Sequence, residues 1–237
     1  MRNDGSVPDL AAFRARRVLI PGYYFTAAFW HREFLRGAGV PPEAVDWVST
    51  APELDPRMHT PAGVRITVQS APERGIGLLL DGQVDAIMHE FTIAAPPGRE
   101  RELRRLYPDV FEVEQAWYAE TSVHPILHVM AVSREALERR PDLGVELCRA
   151  FDEAKAEAYL WLSSERTTSL PFMREAIDRS VAVLGDDPWA YGLERNAREL
   201  NRFLDLAQTD GLTKTRARLE DLFDPRSLEY RFQARIP

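Results

Sequence analysis

The stretch Arg17–Trp30, RVLIPGYYFTAAFW, reads as a buried strand, a turn and the opening of a helix. Val18, Leu19 and Ile20 form a short apolar run that stops at Pro21, as a strand covered on both faces does. From Thr26 the period changes. Ala27, Trp30, Phe34 and Leu35 recur at helical spacing to about Arg36, and Gly37 and Gly39 end the helix.

The same alternation continues outward. Val45–Ser49 (VDWVS) and Val64–Gln69 (VRITVQ) have strand character, separated by a loop containing Pro52, Pro56 and Pro61. Glu73–Leu80 reads as a short helix, after which Gly82 turns the chain into a buried strand, Val84–Met88 (VDAIM). Strand alternating with helix predicts an α/β layer with a mainly parallel sheet. Pro96, Pro97 and Gly98 precede a charged helix, Arg99–Leu106, and a further helical segment, Val110–Ala119. In TSVHPILHVMAVSREALERRPDL, Thr121–Leu143, the spacing predicts a strand over His124–Val132 that leads into a helix.

Beyond Ser133 the chain is almost wholly helical. Leu143, Leu147, Phe151, Ala154, Ala158 and Leu162 trace one face of a long helix. Phe172, Ile177, Val181 and Leu184 suggest a second, and Leu193, Ala197, Leu200, Leu204 and Ala207 a third. These helices have few strands to cover, so they pack on one another or on a sheet supplied elsewhere. The polar residues 1–16 read as a lead-in.

With 45% apolar residues the chain can bury a sizeable core. A net charge of −7 and a pI near 5.4 argue against nucleic acid and membrane surfaces as partners. Of the 30 basic residues only Lys155 and Lys214 are lysines, and the arginines are either carboxylate-binding forks or simply solvated. The one cysteine, Cys148, excludes an internal disulfide and a zinc-ribbon site, and its helical setting beside Leu147 and Phe151 favours packing. The N-terminus lacks the apolar core of a secretory signal and no apolar run has membrane-spanning length, which predicts a soluble, cytoplasmic protein.

Several motifs read together carry a resemblance. They are VLIPGYYFTAAFW (Val18–Trp30), VDWV, LLLDGQVDAI (Leu78–Ile87), RLYPD (Arg105–Asp109) and HPILHVMAV. They continue with RAFDEAKAEA (Arg149–Ala158), WAYGLERN (Trp189–Asn196) and DGLT…EDLF (Asp210–Phe223). In order and spacing these resemble the 4,5-dihydroxyphthalate decarboxylase-like family, whose fold is similar to type 2 periplasmic solute-binding proteins. The resemblance implies an α/β fold with one complete lobe plus the helical C-terminal part of the other. Residues 17–123 would form the complete second lobe, and residues 124–237 a returning strand and the helical portion of the first. Family members carry about a hundred further N-terminal residues, roughly half a lobe. They usually have Phe where this chain has His124, whereas His128 falls on the family's histidine.

The solute-binding fold closes two lobes on a ligand. The resemblance points to the turn Tyr23-Tyr24-Phe25-Thr26-Ala27 as a carboxylate-binding helix N-terminus, with Thr26 capping the helix or donating to the ligand. Tyr23 and Tyr24 suit an aromatic acid; the plainer reading is a Thr cap with tyrosines packed beneath it. His89 and Glu90 follow the VDAIM strand at its carboxyl end, where ligand contacts gather, and as neighbours only one of them faces a cleft. His128 suits a general acid that protonates the ring carbon losing CO₂, the plainer reading being a strand histidine bonded to backbone. His124 is a further ligand-binding candidate. A zinc pair at His124 and His128 would need a helix, which Pro125 opposes; no metal and no cofactor are expected.

His31 and His59 read as surface groups, and Trp189, Tyr191, Gly192 and Asn196 as packing and turn residues. The function implied is non-oxidative decarboxylation of an aromatic dicarboxylate. The alternatives are a solute-binding protein for a small organic anion, without chemistry, and a truncated inactive homologue. A homo-oligomer or a partner segment that completes the first lobe is left open.

Overall fold

The computed structural model describes residues 1–52, 60–164, 166–167 and 170–237. His59 and Pro56 lie outside the described residues. The chain divides into two compact units, Met1–Ala116 with Asp205–Arg216, and Trp117–Leu204 with Ala217–Pro237.

The first unit is an α/β layer. Its strands are β1 (Arg17–Ile20), β2 (Asp46–Ser49), β3 (Arg65–Val68) and β4 (Ala86–Ile87), all parallel, in the order β3-β2-β1-β4. The predicted parallel sheet is therefore present, with the strand ends trimmed by a residue or two. Alternation along the strands sends side chains to two faces. Val18, Ile20, Trp47 and Ala86 pack with Tyr23, Ala28 and Leu35, the last two on helix α1 (Thr26–Gly37). Leu19 and Val48 pack on the other face with Ile76 and Leu79 of α2 (Ile76–Leu80) and with Val84. Burial on both faces is why β1 reads as an unbroken aliphatic run.

Residues 1–16, read as a lead-in, are built into this unit. Val7 and Phe13 are buried, and Arg2 forms an antiparallel bridge with Leu103. That bridge needs extended backbone, so the expected helix Arg99–Leu106 is reduced to a single 3-10 turn, Glu100–Glu102. A buried ion pair fastens the C-terminal segment of the unit. Arg32 Nε donates to Asp210 Oδ2 at 3.0 Å and Arg32 NH1 to the Tyr23 carbonyl at 2.7 Å, while Arg36 NH2 donates to Asp210 Oδ1.

The second unit is helical. It contains α4 (Arg134–Arg139), α5 (Leu143–Ser163), α6 (Met173–Leu184), α8 (Leu219–Leu222) and α9 (Pro225–Leu228); α3 (Val110–Thr121) and α7 (Ala197–Thr209) run across the boundary. The predicted strand over His124–Val132 does not form. Among the described residues the segment makes no strand pairing, and Leu127, Val129 and Met130 are exposed. A strand exists only with a partner, and no paired strand lies in this unit among the described residues.

Helix α5 also turns a different face inward from the one its leucines trace. Gly144, Asp152, Lys155 and Tyr159 are buried, while Phe151 is exposed. Polar groups can occupy the inner face because they are paired. Lys155 Nζ lies 3.0 and 3.1 Å from the two oxygens of Asp187, which also accept from Tyr159 Oη at 2.8 Å and Arg195 NH1 at 2.6 Å. Asp152 accepts the N–H groups of Gln233 and Ala234 at 3.0 and 3.1 Å, holding the C-terminal tail against the helix. Among the described residues no helix is long and apolar enough to cross a membrane.

Candidate functional site

The carboxyl ends of β1 and β4, neighbours in the sheet, open into the turn before α1 and the segment His89–Ile93. In a parallel sheet this edge collects helix N-termini and loops, and so ligands. At α1 the cap position is Phe25, which has no side-chain acceptor to offer; Thr26 is the first helical residue and not the cap. The first intrahelical bond runs from Phe29 N–H to the Phe25 carbonyl at 2.9 Å. Among the described residues, the Thr26, Ala27 and Ala28 N–H groups therefore have no protein acceptor. Three free N–H groups at the positive end of a 12-residue helix favour an anion.

The two tyrosines lie beneath this turn. Tyr23 is fully buried, edge-on to Trp47, with the Arg32 guanidinium 4.1 Å from its ring centroid. Burial pushes its hydroxyl up to about 12, so it stays un-ionised. Its place is in the core and not on a ligand surface. Tyr24 is half-buried against the same cluster, and Ala27 is buried.

His89 follows β4 and is held by Met88, whose N–H donates to the Leu19 carbonyl at 2.9 Å. Its Nδ1 lies 3.1 Å from both the Phe91 N–H and Glu90 Oε2. A neutral ring accepts from the N–H, whereas a protonated ring donates to the carboxylate. Burial lowers the His89 pKa, opposed by Glu90 and assisted by Arg74. The ring is therefore mostly neutral near pH 7, its Nδ1 accepting from the Phe91 N–H in one tautomer and donating to Glu90 in the other.

His31, expected at the surface, has a fully buried Nδ1 without a hydrogen-bond partner among the described residues. Burial, then the charges of Arg32 and His89, lower its pKa to about 4.

Arg74 is a residue that periodicity does not reveal. Glu73, Arg74 and Gly75 occupy the left-handed region in succession, with φ of 51°, 58° and 78°. For Glu73 and Arg74 that conformation costs about 1–2 kcal/mol each. A Cβ on Gly75 would stand 2.3 Å from Leu19 Cδ2, so only glycine lets the turn settle on β1. The turn carries the Arg74 guanidinium to 4.7 Å from the Phe91 ring centroid, with NH1 donating to the Thr92 carbonyl at 3.4 Å. Glu73, Arg74, Thr92, Ile93 and Ala94 line a pocket of about 240 Å³.

His124 and His128 belong to the second unit. The His124 N–H donates to Glu199 Oε1 at 3.3 Å, and its ring lies 5.7 Å from that of Trp189. His128 is exposed and makes no side-chain hydrogen bond among the described residues. The WAYGLERN motif builds a turn. Asn196 Nδ2 donates to the Ala190 and Gly192 carbonyls, both at 2.8 Å, and Gly192 sits at φ 95° against Phe232. Cys148 is a half-buried free thiol whose pKa burial raises. Among the described residues no cluster of three or more His, Cys, Asp or Glu side chains could hold a metal ion.

No protein-family model matches the chain. A curated protein does: 4,5-dihydroxyphthalate decarboxylase of Comamonas testosteroni is 30% identical over 239 aligned positions, which take in 97% of this chain and 72% of that protein. The motifs of the β1–α1 turn, the β4 strand and the WAYGLERN turn lie within that alignment span. The chain belongs to the 4,5-dihydroxyphthalate decarboxylase family.

Proposed function

We propose that the protein is a non-oxidative decarboxylase of an aromatic dicarboxylate, built on the lobe architecture of type 2 periplasmic solute-binding proteins. The observation that carries the reading is the edge of the sheet, where the free N–H groups of Thr26, Ala27 and Ala28 and the largely buried His89 belong to one α/β unit. The N–H groups bind a carboxylate that is retained. The scissile carboxylate leaves as CO₂, and its bonding electron pair stays on the ring carbon. A hydroxyl para to that carbon supports protonation there, and a histidine in its imidazolium form supplies the proton and is left neutral. His128 is the acid the family pattern favours, and His89 is the histidine that follows β4 at the sheet edge of the first unit.

Incubation of the chain with 4,5-dihydroxyphthalate tests this by release of CO₂ and appearance of a dihydroxybenzoate. Exchange of the catalytic histidine for glutamine should lower kcat by about 10²-fold or more with KM little changed. If neither His128→Gln nor His89→Gln does so, the assignment of an imidazole acid is wrong. A second reading, a solute-binding protein without chemistry, is favoured by the exposure of His128. It predicts tight binding of the dicarboxylate with no CO₂.

A further inference from the structure

We propose that the left-handed turn Glu73–Arg74–Gly75 and the segment Phe91–Ile93 form a subsite for a hydroxylated aromatic carboxylate, with Arg74 as its carboxylate clamp. This deepens the decarboxylase reading and rests on it. Four observations converge. Arg74 sits in the left-handed region at φ 58°, next to Gly75, where a Cβ would stand 2.3 Å from Leu19 Cδ2. Backbone held in such a state marks a place where geometry matters beyond folding. Its guanidinium is aimed by the Phe91 ring at 4.7 Å and by one bond to the Thr92 carbonyl. Among the described residues no carboxylate pairs with it, so most of its N–H fork remains available to a ligand.

The depression beside it, about 240 Å³ and open to solvent, covers one edge of a small aromatic acid. Its other charged wall is Glu73, whose carboxylate accepts from a phenolic hydroxyl while Arg74 takes the carboxylate. The remaining titratable neighbours are His89, on whose charge Arg74 acts, and Glu90 beside it. A ligand with acid at one end and hydroxyl at the other matches both walls, whereas an aliphatic amine pairs with Glu73 and is repelled by Arg74. Arg74 is the binding residue and Phe91 a positioning residue that acts through it.

The test is calorimetric titration of the full chain with two unreactive probes, phthalate (carboxylates only) and catechol (hydroxyls only). Arg74→Gln should weaken phthalate at least tenfold and leave catechol within twofold. Arg74→Lys should recover only part of the loss, because an ammonium cannot bind a carboxylate through two parallel bonds. Phe91→Leu should weaken phthalate by a smaller factor. Circular dichroism identical to wild type controls for folding. Phthalate affinity unchanged in Arg74→Gln overturns the subsite, as does equal loss of both probes or failure of the wild-type chain to bind phthalate. CO₂ release by a wild-type chain whose phthalate affinity ignores Arg74 leaves the decarboxylase reading standing without the subsite. Phthalate binding that depends on Arg74 with no turnover does the reverse.

Discussion

Replacing Asp210 by alanine should be among the most damaging single changes in the first unit. Its carboxylate is 1% exposed and bonds two guanidiniums, one of them on Arg32, which is fully buried. After Asp210→Ala, among the described residues the Arg32 charge keeps the Tyr23 carbonyl at 2.7 Å as its hydrogen-bond acceptor, with the Tyr23 and Phe29 ring centroids at 4.1 and 5.6 Å. One nitrogen of that guanidinium, NH2, already lacks a partner among the described residues, so no spare bonding offsets the loss. Breaking a buried pair from one side costs about 3–5 kcal/mol, whereas replacing both partners by apolar residues of similar volume is near neutral. Asp210→Asn should fall between, since it keeps an acceptor and loses the charge. Urea unfolding followed by circular dichroism measures the cost, and hydrogen exchange of the β1 amides locates it in the first unit. A loss below about 1 kcal/mol for Asp210→Ala, or equal losses for Ala and Asn, would refute the reasoning.

Three other outcomes follow from the same structure. His31 stays neutral in the fold down to about pH 4, while the unfolded chain takes up its proton near 6.5. Its contribution is thus full above pH 6.5 and is lost as pH falls towards 4, by about 3 kcal/mol; His31→Gln should flatten the stability–pH curve by that amount between pH 7 and 4. Gly75→Ala combines a positive φ with a Cβ 2.3 Å from Leu19 Cδ2, and should cost about 2–4 kcal/mol in a denaturant titration. Asp187→Ala strands Lys155 inside the helical unit and should cost about 3–5 kcal/mol, with increased hydrogen exchange along α5 as its signature.

The parts of the fold legible in the sequence were those set by local apolar pattern. The run Val18–Ile20 and the VDWVS and VDAIM segments gave the sheet because a doubly covered strand writes itself as consecutive aliphatics. The His124–Val132 segment has the same composition without the outcome, since pairing depends on a partner that periodicity does not report. On α5 the leucine stripe pointed away from the inner face, because Asp152 and Lys155 are buried by partners 32 to 82 residues away. The candidate site was half legible. Position after a strand picked out Thr26 and His89, whereas Arg74 depends on three left-handed residues in a row, which PERG does not announce. His31 was missed for a related reason: a histidine on an apolar helix face carries no mark of how deeply its ring is packed.

The central claim, that an aromatic dicarboxylate loses CO₂ and is protonated at the vacated carbon, is tested most directly in deuterated water. Incubation of the wild-type chain with 4,5-dihydroxyphthalate should give CO₂ and a dihydroxybenzoate carrying one deuterium on the carbon that lost its carboxylate. Recovery of the dicarboxylate bound and unchanged, with no CO₂ at any pH between 5 and 8, would contradict the account.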